Sequence, residues 1–171
     1  KKTAVKPPDM FKQRTAILLN GFKNQPRNGK ICVGIPRGLM VFYQQFRFWH
    51  TFFTELGFQV ILSDETDRKI VTDSLETMVS ETCLPVEVMH GHVINLLEKD
   101  VDYVFLPFTV NALGDKSNPT NNCNCPWVQS HPYLIKSAFP DEEIRKKFLI
   151  PTLHFRYFDR ALKKELTAFF N

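Results

Sequence analysis

The sequence contains no apolar run approaching the ~20 residues that a membrane-spanning helix requires, and no secretory signal pattern opens it. With only 7 glycines in 171 residues, it has no Gly-rich loop of the kind that cradles a phosphate. Ser63, Ser80 and Ser130 lack the context of a nucleophile elbow. Charge of one sign is also scarce. The net charge is +4, and the lysines and arginines are scattered, with a small excess in the first 30 residues and in the last helix. A nucleic-acid binder gathers such residues on one face with aromatics between them, so nucleic acid and membrane are both excluded as expected partners. The four cysteines, at positions 32, 83, 123 and 125, are few for a disulfide scaffold. A reducing cytoplasmic setting is therefore expected. The chain opens on Lys1 rather than methionine, which suggests a fragment of a larger multidomain protein.

What is present is an ordinary globular composition, 43% hydrophobic and 23% charged, long enough to bury a core without disulfides or metals. Phenylalanine is over-used, with 16 residues against four Tyr and two Trp, and some of those rings are expected to face another domain or subunit.

Residues 1–29, with Pro7, Pro8, Pro26 and Gly29, read as a linker or N-terminal arm containing one short apolar segment, Ala16 to Leu19. A single α/β domain is expected over 30–171. Its apolar runs 31–35, 58–62, 101–107 and 148–155 read as strands, with Pro151 marking the last as an edge strand or delaying its start. Helical spacing predicts helices over 39–56, 68–80, 84–99, 131–139 and 159–170. In the first of them Phe42, Phe46, Trp49, Phe53 and Leu56 share one face, and Gly57 ends it. Alternating strands and helices imply right-handed crossovers and a parallel sheet. The expected fold is a flavodoxin-like (Rossmann-like) three-layer sandwich on a four-stranded parallel sheet of order 2-1-3-4.

In such sheets ligands bind outside the carboxyl ends of the strands. Arg37 follows the first strand and has the planar fork that suits a phosphate or carboxylate; a solvated or salt-bridged arginine is the simpler account. Asp64 follows the second strand, where a ribose-binding acid would stand, although no Gly-x-Gly-x-x-Gly precedes it and helix capping also explains it. Cys83 opens the third helix, where N–H groups and the helix dipole favour a thiolate. The third helix must run back to the amino end of the third strand, so Cys83 falls on the same edge as Cys123 and Cys125. Three thiolates are one short of the usual four for a structural zinc or a cubane, and three unrelated free cysteines would read the same way. Cys32 lies within the first strand as an inert core thiol. His90 and His92 stand two apart on a helix and so point to different sides, which argues against a metal pair.

Several stretches, taken together and in order, resemble one family. They are Ile35-Pro36-Arg37-Gly38, Phe48-Trp49, Phe52-Phe53, Leu56-Gly57-Phe58, Ser63-Asp64, Glu81-Thr82-Cys83-Leu84-Pro85-Val86, His90-Gly91-His92, Asp102-Tyr103, Phe105-Leu106-Pro107 and Cys125-Pro126 with Gln129. The chain is similar, over about residues 30–156, to the uncharacterised domain of the large CoA-substrate-specific enzyme activases, which are related to the 2-hydroxyacyl-CoA dehydratases and benzoyl-CoA reductases of anaerobes. The resemblance implies a lobe that shares an iron–sulfur cluster, [4Fe-4S] or double-cubane, with a second lobe. It further implies ATPase modules that deliver low-potential electrons to that cluster, and a CoA thioester as a further candidate partner. Cys83 and Cys125 match the family's cysteines as metal ligands, while Cys123 has no clear counterpart. The sequence departs from the family in having no actin-like ATPase motif and no second lobe, so neither cluster nor turnover is expected in this chain alone. Two other readings stay open: a non-catalytic module that docks the ATPase modules, and a Rossmann-like small-molecule binding domain using Arg37 and Asp64.

Overall fold

The computed structural model describes residues 7–113, 122–157 and 160–170. The first element of the described residues is a helix inside the stretch read as an arm. In this helix, α1 (Met10–Leu19), the Asp9 carboxylate accepts the Phe11 and Lys12 N–H groups at 3.1 Å each. It buries none of its residues completely, which is why no amphipathic pattern announced it. Next come β1 (Cys32–Ile35), α2 (Leu39–Tyr43), α3 (Phe46–Glu55) and β2 (Gln59–Leu62). The helix expected over 39–56 is thus two helices, broken at Gln44 and Gln45, whose φ values are −120° and −119°. The apolar face stays in register across the break, since Phe42, Phe46, Trp49 and Phe53 are all buried, but Leu56, expected on the same face, is exposed past the end of α3. Each such ring contributes about 1.5–3 kcal/mol of transfer free energy. The Gln45 side chain accepts the Trp49 Nε1–H at 3.0 Å, so the one polar atom of that indole is satisfied. Gly57, at φ +87°, closes α3 in the left-handed region that a glycine adopts without strain.

The remainder comprises α4 (Arg68–Thr77), α5 (Leu84–Glu98), β3 (Tyr103–Phe105), β4 (Phe108–Asn111), α6 (Pro126–Ala138), α7 (Glu142–Lys146), β5 (Phe148–Leu149), β6 (Thr152–His154), a 3-10 turn (Phe155–Tyr157) and α8 (Arg160–Phe170). The main sheet is parallel throughout, in the order β2-β1-β3-β5. A second parallel pair, β4 with β6, continues β3 and β5 beyond Pro107 and Pro151. Backbone bonds from Leu106 N–H to Leu149 O and from Phe108 N–H to Pro151 O, both 2.9 Å, carry the pairing across the two prolines. With β5 and β6 counted as one run, the order is the expected 2-1-3-4, a flavodoxin-like layout.

Two sequence readings shift in the structure. The helix expected from His131 begins at Pro126 and passes through Pro132. A proline inside a helix leaves the carbonyl four residues earlier without its N–H donor. Here His131 Nδ1 takes that place, donating to the Val128 carbonyl at 2.7 Å. The second shift is at the amino end of the sheet. The Asp102 carboxylate accepts the Cys32 N–H at 2.7 Å and an Arg27 guanidinium N–H at 2.8 Å, which ties the arm to β1 and β3. The arm also lies along the outer edge of β2. The Asn24 amide donates to the Leu62 carbonyl and accepts the Leu62 N–H, at 2.7 and 2.8 Å. Among the described residues, no helix is long and apolar enough to cross a membrane.

Candidate functional site

The loops at the carboxyl ends of β1 and β2 are locked together by one buried polar network. Ser63, just past β2, is fully buried. Its Oγ accepts the Arg37 backbone N–H at 2.8 Å, which leaves its own hydrogen for His92 Nδ1 at 3.0 Å. His92 is then protonated on Nε2 and donates to Thr66 Oγ1 at 3.0 Å. This Ser–His pair is sealed from solvent and acts as a clamp between β2 and α5. Burial pushes the His92 pKa down to about 4, with the Arg37 charge acting in the same direction. Arg37 Nε donates to the Ser63 carbonyl at 2.7 Å, and desolvation lowers the pKa of its guanidinium.

Asp64 is spoken for. Its N–H bonds to Asn95 Oδ1 at 2.8 Å, and its carboxylate accepts from Asn95 Nδ2 and Lys99 Nζ at 3.0 Å each. The lysine hydrogen bond is the main reason its pKa is held down. It does not cap α4, because the cap there is Asp67, whose carboxylate accepts the Ile70 N–H at 2.8 Å.

The residues His90, Gly91 and His92 face three different neighbours, as their helical spacing requires. His90 Nδ1 donates to the Glu87 carbonyl at 3.1 Å, and burial lowers the pKa of its ring. Burial pushes the His131 pKa down to about 4. Gly91 lies against α4 and gives its N–H to Ser74 Oγ at 2.9 Å. A β-carbon on Gly91 would run into the backbone carbonyl oxygen of Ile70, so glycine is what lets α4 and α5 approach each other.

Cys83 and Cys125 occupy equivalent positions. Each is the N-cap of a long helix, with extended backbone angles, no side-chain capping bond and a proline in the following turn. Both thiols are exposed and free, as is Cys123, whereas Cys32 is buried in β1. Helices α5 and α6 both lead from the carboxyl edge back to the amino edge of the sheet, so their N-termini share one side. The strand register puts Ser63 level with Leu106, and Asn111, which bridges to Cys123, lies five residues further on. That is about 16 Å of strand. Cys83 precedes His92, the partner of Ser63, by nine residues. That is about 13 Å of helix. The extension of β3 by β4 therefore carries the loop that bears Cys123 and Cys125 beyond the carboxyl end of the main sheet, the end at which α5 begins.

Sharing a rim is not the same as forming a metal site. Among the described residues, no three of His, Cys, Asp or Glu stand together in a group that could hold a metal ion. Among the described residues Cys83, Cys123 and Cys125 stand as exposed free thiols and do not by themselves make up a closed cluster or zinc site. Sequence reasoning named the three cysteines, Arg37 and Asp64, but missed the structural parts played by Ser63, His92 and His131. The clue for His131 was available in its position directly before Pro132.

No curated protein and no solved structure matches this chain. A family model does, over residues 32–171. The match spans the whole sheet, both cysteine-capped helices and the His-Gly-His segment. The chain therefore belongs to the family described as the CoA enzyme activase uncharacterised domain.

Proposed function

We propose that this domain is one lobe of an iron–sulfur protein in a CoA-linked, ATP-driven redox system, and that it contributes Cys83 and Cys125 as thiolate ligands. Cys123 is a further candidate. The observation that carries the reading is the matched placement of Cys83 and Cys125, two exposed, unbonded N-caps on one edge of a domain of the activase family. A bound [4Fe-4S] or double-cubane cluster would supply one-electron transfer at low potential. The work of this chain is positional. Each sulfur sits on the first turn of a helix fixed by buried packing, with α5 clamped to β2 through His92 and to α4 through Gly91. In this reading the fold is a three-layer sandwich, with α5 and α6 on one face of the sheet and α3 and α8 on the other. The remaining ligands come from a second lobe, the electrons come from ATPase modules, and a CoA thioester is the substrate of the assembled system. The setting is the cytoplasm of an anaerobe, where thiols stay reduced. The chain by itself performs no turnover.

Iron and acid-labile sulfide analysis of the full-length protein, produced without oxygen, tests this. Cys83→Ala and Cys125→Ala should each lose iron and the brown chromophore while the far-UV circular dichroism is kept. Unchanged iron content in both variants removes the proposal, and Cys123→Ala decides whether the third thiol takes part.

A second reading, a module that docks the ATPase modules, is favoured by a different observation. Phe48, Phe52 and Leu56 line a shallow apolar cleft on α3, and Phe170 of α8 lies 5.9 Å from the Phe52 ring. Leu56→Glu should abolish capture of the ATPase modules by this chain if that face is the docking surface.

A further inference from the structure

Arg37 is a half-buried cation, and the carboxylates of Glu65 and Asp64 act on it only from longer range. Its Nε is committed to the Ser63 carbonyl. Among the described residues no carboxylate lies within ion-pair distance of it. A desolvated cation without a paired anion is costly, and folds rarely retain one without a counter-charge. Its neighbours add to the imbalance. Arg37 lines a cavity of about 520 Å³ between α1 and the loops after β1 and β2, and Lys12, Arg14 and Glu65 line it too. Arg14 lies over the Tyr43 ring at 4.3 Å, held by a cation–π contact rather than by a carboxylate. Among the lining residues three cations face one anion, and the nearby Asp64 carboxylate is already matched by Lys99, so a surplus of two positive charges remains.

The location is chemically meaningful. The cavity opens at the carboxyl ends of β1 and β2, the side of a parallel sheet where ligands bind. Its volume is within the range of about 300–1,000 Å³ typical of small-molecule sites, and larger than an inorganic anion needs. The apolar side chains Phe42 and Leu19 supply walls for an organic body.

We propose that this cavity binds a phosphate-bearing ligand, with the free edge of the Arg37 guanidinium and the cations of α1 holding the phosphate. The surplus of two charges decides between anions. A monocarboxylate neutralises one of them, whereas a phosphate monoester carries about −1.5 to −2 at neutral pH and neutralises both. The planar Arg fork also matches phosphate oxygens in pairs. The site is independent of any cluster, since it uses none of the cysteines.

The test is a titration of the 171-residue chain, followed by amide and guanidinium NMR shifts at constant ionic strength, with inorganic phosphate, AMP and acetate as probes. Saturable shifts at Arg37 and along α1 are expected with AMP and phosphate. Arg37→Gln should weaken binding about ten- to a hundredfold, the usual worth of charge-assisted hydrogen bonds. Because Arg37 also braces Ser63, the Lys12→Gln/Arg14→Gln pair on exposed α1 provides a second arm and should weaken binding without changing the fold. AMP binding more tightly than phosphate assigns the apolar walls to an organic body. Equal affinity assigns the cavity to free phosphate. Either upholds the phosphate site. Acetate binding as tightly as the phosphate compounds overturns it, as do unchanged affinity in the α1 double variant and the absence of saturation up to about 10 mM, a Kd at the weak end of specific binding.

Discussion

Lowering the pH from 7.5 towards 5 should destabilise this domain steeply, through two histidines rather than through its carboxylates. His92 and His131 are 1% and 3% exposed, and burial pushes both pKa values from 6.5 to about 4. Below pH 6.5 the unfolded chain takes up a proton on each ring while the folded chain does not, so unfolding gains protons and stability falls as pH falls. Each group costs about 1.4 kcal/mol per pH unit across that window, or about 3 kcal/mol once pH 4 is reached. Together they remove about 6 kcal/mol, comparable with the whole stability of a small domain. His90, whose pKa is also lowered by burial, acts in the same direction. The assay is urea unfolding at half-unit pH intervals, followed by circular dichroism. Wild type should lose about 4 kcal/mol between pH 7.5 and 5. The His92→Gln/His131→Gln double variant should start less stable at pH 7.5, because Val128, Ser63 and Thr66 lose their histidine partners, yet show a much flatter profile. A wild-type profile flat to about 1 kcal/mol over that range, or an undiminished slope in the double variant, refutes the reasoning.

Gly91→Ala forces α4 away from α5, because the obstruction is the Ile70 backbone oxygen and cannot rotate aside. After about 1 kcal/mol of helix-propensity gain is offset, a net loss of about 1–2 kcal/mol is expected, lowering Tm by roughly 2–8 °C in a calorimetric scan. An unchanged Tm would mean the two helices do not approach this closely. Titration of the native, reduced chain with Ellman's reagent should show three fast thiols, Cys83, Cys123 and Cys125, with Cys32 reacting only on denaturation. A fast fourth thiol would contradict the burial of β1.

The strand order was legible because each apolar run stands alone between polar turns, and 2-1-3-4 is one of the few orders open to right-handed crossovers with helices on both faces. Less visible was how Pro107 and Pro151 act. Each breaks its strand into two without ending the pairing, because the neighbouring N–H groups of Leu106 and Phe108 still find acceptors across the gap. Helix α1 escaped notice because it keeps most of its side chains in solvent, and the first turns of α6 because Pro132 masks their continuity while His131 repairs the damage through a side chain. The residue types at the carboxyl side of the sheet were legible, and so was the place of Cys83 and Cys125 at the starts of their helices. What a linear pattern could not reveal is that Asp64 is already paired with Lys99 and Asn95, or that Arg37 is left short of a counter-charge. Both depend on contacts between segments distant in sequence.

The family match begins at residue 32, but the border strand of the sheet is finished by residues before that point. Asn24 answers both peptide groups of Leu62 with a side-chain amide, and Gln59 reaches the Gln25 and Pro26 carbonyls. Cutting the chain at the family boundary would strip this seam from β2 and present raw backbone to other molecules. Unguarded borders of this kind recruit further strands. Such a truncate should come out of the cell as aggregate, its fold intact in principle and its solubility lost with a segment that contributes little to the core.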